Sequence, residues 1–123
     1  MIAIANIKKL LKDTLSNAEI LSLLADNKVY FLHANKPSTP YVEYEIFDEN
    51  GEAWAENKEI ATNYYVQVDI FSKVDYTNIE NKIKEKMINA GFDRSMCADL
   101  FENDTQLFHK AMRFFITLQN ESE

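Results

Sequence analysis

Ten consecutive residues, NYYVQVDIFS at positions 63–72, limit the possible fold more than any other part of the chain. They include neither Gly nor Pro. Tyr64, Val66, Val68 and Ile70 point one way, and Tyr65, Gln67, Asp69 and Phe71 point the other. A period of two, carried by β-branched and aromatic side chains, is the pattern of a strand. One face is continuously apolar and has to be buried. The other sets Gln67 and Asp69 between aromatics, which suits a partly dry surface or one that meets another protein. The segment is expected to be a central strand, with strands beside it and helices on its apolar face.

The flanking sequence supplies those neighbours. Residues 3–15 place Ile4, Ile7, Leu11 and Leu15 on one helical face with Leu10 beside them, and Lys8, Lys9, Lys12 and Asp13 around the rest, an amphipathic helix. Ser16 and Glu19 have the spacing of a capping box and predict a second short helix over about 17–25, apolar nearly all round. Residues 29–32 read as a short edge strand, 35–40 (NKPSTP) as turn, and 41–47 (YVEYEIF) as a strand. Residues 48–62 (DENGEAWAENKEIAT) read as a protruding hairpin or acidic loop, with Asn50-Gly51 the pair that tight turns favour.

Residues 73–90 form the best helical pattern. Tyr76, Ile79, Ile83, Met87 and Ala90 share a face, the start is set by Asp75 or by a Thr77–Glu80 capping box, and Gly91 stands at the C-terminal left-handed position. Two further strands, 96–101 and 107–118, flank a polar turn, and 119–123 is expected to be a frayed tail. The reading is one α+β domain over residues 1–123: a mostly antiparallel sheet of four to five strands, with an N-terminal helix and a middle helix packed on one face.

Composition narrows the function. A chain of 123 residues with 46% apolar content can bury one core and is not wholly disordered. No apolar run approaches membrane-spanning length. The start, MIAIANIKKLLKD, lacks the order of a signal peptide, and Cys97 is a single cysteine, so an intracellular protein is expected. Of the net charge of −7, most is concentrated between Glu43 and Glu59, where seven acids meet one base. Only Arg94 and Arg113 represent arginine, so direct nucleic-acid recognition, which needs clustered cations, is not expected. The acidic stretch reads either as a solvated face or as an electrostatic surface. Trp54, within it, reads as an interface anchor or as a ring folded back on the sheet.

The sequence holds little that could carry catalysis. Cys97 and His109 invite a nucleophile–base reading, but a free cysteine is ordinarily a small buried residue, and nothing nearby in sequence lowers its pKa. Asp99, Glu102 and Asp104 lack the spacing and glycine of a calcium loop. His33 and His109 lack zinc-ligand spacing, and two isolated glycines cannot build a phosphate loop. No enzyme, catalytic residue, metal or cofactor is expected.

The order PYVEYEIF, YYVQVDIFSK, a helix ending at AGF, then DLFENDTQLFHKAMRFFI resembles the tail completion proteins of long-tailed phages and prophages, also called tail terminators or tail-to-head joining proteins. The resemblance spans residues 40–118, and its most specific pieces are QVDIFS (67–72) and ENDTQLFHKAMRF (102–114). It implies a structural subunit that forms a ring on assembly, usually a hexamer, and that can be a monomer in isolation. Such a ring caps the tail tube, stops its polymerisation and docks to the head connector. The implied partners are further copies of the chain, the major tail tube protein and the head connector protein. DNA would pass through without specific binding, no membrane is involved, and the protein would sit in the virion tail or neck after assembly in the host cytoplasm.

A closed ring needs two different patches that meet. The candidates are Trp54 with Glu52 and Glu56, and the mixed strand face of Tyr65, Gln67, Asp69 and Phe71. The alternatives are another neck, minor tail or head completion component, or a small acidic adaptor or inhibitor that binds a basic host protein.

Overall fold

The computed structural model describes residues 2–3 and 6–122. In chain order the elements are β1 (Ile2–Ala3), α1 (Ile7–Leu15), α2 (Ala18–Leu21), β2 (Tyr30–Phe31), β3 (Tyr41–Ala55), β4 (Lys58–Ser72), α3 (Thr77–Asn89), β5 (Asp93–Glu102), β6 (Leu107–Gln119) and β7 (Glu121–Ser122). Five strands form the main sheet in the order β2-β3-β4-β6-β5, so the strand with the strongest alternation is the middle one. All its pairings are antiparallel except β2–β3. The chain is α+β, with the helices packed on the sheet.

Register explains the core. Val66 lies between Ile46 and Phe114, Val68 between Tyr44 and Met112, and Ile70 between Val42 and Lys110. These side chains stack into rows on one sheet face. Ile7, Leu11 and Leu15 of α1, Ile20 of α2 and Ile79, Ile83 and Met87 of α3 close over them, with Leu24 and Phe92. Val66, Val68 and Ile70 have no exposed surface. At roughly 1.5–3 kcal/mol per fully buried apolar side chain, these rows dominate the stability of the domain.

Local chemistry sets the helix ends, in places differently from the sequence reading. The first helix begins at Ile7, where the Asn6 side chain accepts from the Lys9 N–H at 3.0 Å; Ile4 lies outside the described residues. Asn17 rather than Ser16 caps the next helix, accepting from the Glu19 N–H at 2.9 Å. That helix is a single turn, since the chain leaves it at Ser22 through further turns rather than running on to residue 25. Asp75 accepts from both the Thr77 N–H and its hydroxyl, which fixes the start of α3. Gly91, at φ 101°, makes the left-handed exit.

Residues 48–62 are strand throughout except for one turn. The turn is Glu56-Asn57, both at positive φ, and not Asn50-Gly51. Asn50 and Gly51 stay in register with Asn63 and Thr62. Gly51 leaves room for its neighbours there: a Cβ at this position would stand 2.6 Å from both the Trp54 ring and Glu59 Oε1, and those side chains would have to move. Of the tail expected to fray, residues 119–122 are paired, and Glu123 lies outside the described residues. Gln119 ends β6, the buried Asn120 donates its N–H to the Ile60 carbonyl, and β7 pairs with β1.

On the covered side one charge is deeply buried. Lys110, 7% exposed, meets Asp99 at 3.1 Å and Glu80 at 3.3 Å. Burial works against its charge, but these two carboxylates outweigh that and hold its pKa above the usual lysine value. Tyr76 donates to Asp99 at 2.6 Å, and burial together with that bond pushes its pKa up to about 12. This network ties α3 to β5 and β6.

Candidate functional site

The helices cover one side of the sheet only, and the residues singled out on β4 lie on the other. Opposite Phe71 stand Tyr41 and His109; opposite Asp69, Glu43 and Ala111; opposite Gln67, Glu45 and Arg113. The middle of this face is a hydrogen-bonded chain. Arg113 Nε donates to Gln67 Oε1 at 2.9 Å, and Gln67 Nε2 donates to Asp69 Oδ1 at 2.9 Å. His109 Nε2 meets the same Asp69 oxygen at 2.6 Å, and its Nδ1 lies 3.5 Å from Glu102. Side chains from three adjacent strands are thereby locked to each other.

Aromatic rings frame this chain at both ends. Tyr41 stacks on Phe71 at 4.8 Å between centroids, and Phe71 on His109 at 4.3 Å. At the other end Tyr65 lies between Phe47 (6.3 Å) and Phe115 (6.5 Å), and the Arg113 guanidinium sits 4.5 Å from the Phe47 ring centre. Such contacts add roughly 0.5–1.5 kcal/mol each beyond area burial. They make the face stiff before any partner arrives.

The hydrogen bond that His109 donates to Asp69 raises the His109 pKa; burial works the other way, and the charges of Asp69, Glu102 and Glu43 add to the rise. The arrangement can therefore hold a proton at His109 between two carboxylates.

The expected interface residues separate into two places. Tyr65 and Gln67 are half-buried on the face, whereas Asp69 and Phe71 are each 8% exposed, already covered by their neighbours' side chains. They shape the surface more than they offer it. The large apolar side chains exposed on this face are Phe47, Phe115 and Leu100. Of these, Phe47 and Phe115 showed in the alternation of their strands; Leu100 shows only once β5 is placed at the sheet edge.

Glu52, Trp54 and Glu56 lie instead on the arm formed by the ends of β3 and β4. β6 accompanies β4 only as far as Ala61, so the arm beyond it is two-stranded. Trp54 is 61% exposed with its ring edge against Gly51. Asp48, Glu49, Glu52 and Glu56 are exposed, while Glu43 and Glu45 are half-buried on the sheet face, so the acidic stretch is divided between two surfaces.

Cys97 and His109 do not come together. Cys97 pairs with Met112 and packs against the core, while His109 stands on the uncovered side. Asp99 and Glu102 are likewise turned apart, Asp99 to Lys110 and Glu102 to His109. Among the described residues no helix is long and apolar enough to cross a membrane. No protein-family model matches the chain, and no curated protein is significantly similar to it.

Proposed function

We propose that the chain is a phage or prophage tail-completion subunit, a non-enzymatic building block. Copies assemble into a ring, probed first as a hexamer, that ends tail-tube polymerisation and joins the tail to the head connector. One observation carries the reading. The sheet is covered on one side only, and its bare side is a rigid aromatic and polar lattice instead of a solvated polar face. A sheet face with Phe47 and Phe115 exposed beside Tyr65 suits burial on assembly.

The two most specific pieces of the resemblance support the same reading. QVDIFS supplies Gln67, Asp69 and Phe71, and ENDTQLFHKAMRF supplies Glu102, His109 and Arg113. These are the residues that make the lattice. In the ring, the exposed carboxylates of the arm face the lumen, where they repel phosphates and let DNA pass without being held.

Electron microscopy of tails made with and without the protein tests the reading. Tails of irregular, excessive length in its absence are the expected result. Particles that finish and fill normally without it would end the proposal. A structure of the ring with the arm carboxylates on the outer wall would remove the lumen assignment alone.

A further inference from the structure

The sheet ends in two open edges, and they complement each other. β5 is the last strand on one side, ten residues long without proline, and nothing among the described residues pairs with its outer backbone. It exposes Met96 (58%), Leu100 (48%) and Phe101 (48%). The strand is apolar at these three and charged at Asp93, Arg94, Asp99 and Glu102, with one register shift between Arg94 and Cys97; an unpaired edge of this length invites another strand. At the opposite side β2 shields β3 only at Glu43 and Tyr44. Leu32, at φ 68°, then turns the chain away, and no described residue pairs with the outer edge of β3 over residues 46–55, a stretch with three register shifts. Beside that open edge lies a groove of about 570 Å³ lined by the apolar Ile7, Phe31, Leu32, Ile46 and Phe47 and by the charged Lys8, Asp48 and Glu49.

We infer that β5 of one copy pairs antiparallel with the open edge of β3 on the next copy, seating Phe101 in this groove. The occupant is a second copy of the chain, and the inference rests on the proposed self-assembly. Three observations support it. Antiparallel pairing continues the alternation that already runs through β3, β4, β6 and β5. A sheet continued in this way keeps its faces. Phe101 and Asp99 are on the covered side of β5, as Ile46 is on β3, and Leu100 is on the bare side, as Phe47 is.

Charge selects the same orientation. Lys8 and Lys12 stand near the start of the open β3 edge, are exposed and have no ion pair among the described residues. Glu49 lies within the groove, and Glu52 lies further along. An antiparallel β5 with Phe101 in the groove brings Glu102 and Asp104 toward the lysines and exposed Arg94 toward Glu52, while Asp99 stays with Lys110. A parallel β5 would set like charge on like. The contact is heterologous, so it builds a closed ring when the rotation between copies closes.

Two variants of the full chain test it. Phe101→Asp spoils the β5 edge, and Leu32→Asp spoils the groove; both side chains are exposed, and Asp tolerates the left-handed backbone at position 32. Circular dichroism and thermal melts check that each still folds. In analytical ultracentrifugation, wild type is expected to assemble with rising concentration and each variant to stay monomeric. An equimolar mixture is expected to form one-to-one dimers and stop, because each variant keeps one sound edge. Wild-type-like assembly of both variants would overturn the edge contact and leave the ring reading standing. Loss with Phe101→Asp but not with Leu32→Asp would overturn it in favour of a two-fold contact. A wild-type chain that stays monomeric at every concentration would overturn this contact as one that forms unaided and leave assembly on the tail to the electron microscopy above.

Discussion

Phe114 and Phe115 are adjacent on one strand and have the same kind of side chain, yet they belong to different surfaces. Phe114 is 1% exposed under the helices, and Phe115 is 38% exposed on the bare side. The covered face is held by apolar rows that the chain buries itself. The uncovered face is held by a lattice of hydrogen bonds and stacked rings. The difference shows how one sheet divides its labour: the first face stores the folding energy, and the second holds directional contacts that fix the shape of a surface without hiding it.

The sharpest break in that comparison is the neighbouring pair itself. Phe114→Ala should cost about 3–5 kcal/mol in a denaturant melt, since it empties a filled row. Phe115→Ala should cost at most about 1 kcal/mol. Equal losses would mean that both faces carry the fold.

Next in size is Asp69→Asn, which keeps the shape but removes the charge that two neighbours share. A cost of about 1–2 kcal/mol is expected, read in the same melt.

A smaller effect separates the faces by pH. Folded His109 binds its proton more tightly than the unfolded chain does. Its stabilisation is therefore complete below the ordinary histidine value of about 6.5 and is lost as pH rises through the raised one. The thermal midpoint of wild type should fall over this window more steeply than that of His109→Gln. Parallel curves would remove the His109–Asp69 pair from the account. The smallest effect on folding belongs to Trp54→Ala, within about 0.5 kcal/mol because the ring is mostly in water. Ring or tail assembly should nevertheless weaken; normal tail termination by this variant would show that the arm is no anchor.

Most of the fold was legible because alternation and helical periodicity are local. The apolar sides of β4 and β6 and the core face of α3 can be read one residue at a time. The hairpin turn was not legible at Asn50-Gly51. That pair suits a turn, but cross-strand pairing carries β3 past it, and the Trp54 ring takes the space beside Gly51. The parallel placement of β2 was equally hidden, since two residues of strand say nothing of direction. Of the candidate site, the residues of β4 could be named but not their standing. Asp69 and Phe71 are covered by His109 and Tyr41, which lie 40 and 30 positions away in sequence.

The sequence by itself determined which residues must leave water, because burial of an apolar stripe follows from spacing along one segment. It also determined where the acids concentrate. Only the tertiary structure decided which side of the sheet stays bare, which strands end it, and that His109, Asp69, Gln67 and Arg113 form one chain of contacts. Those features come from register between strands far apart in the chain, and register is set by the packing of all the strands together.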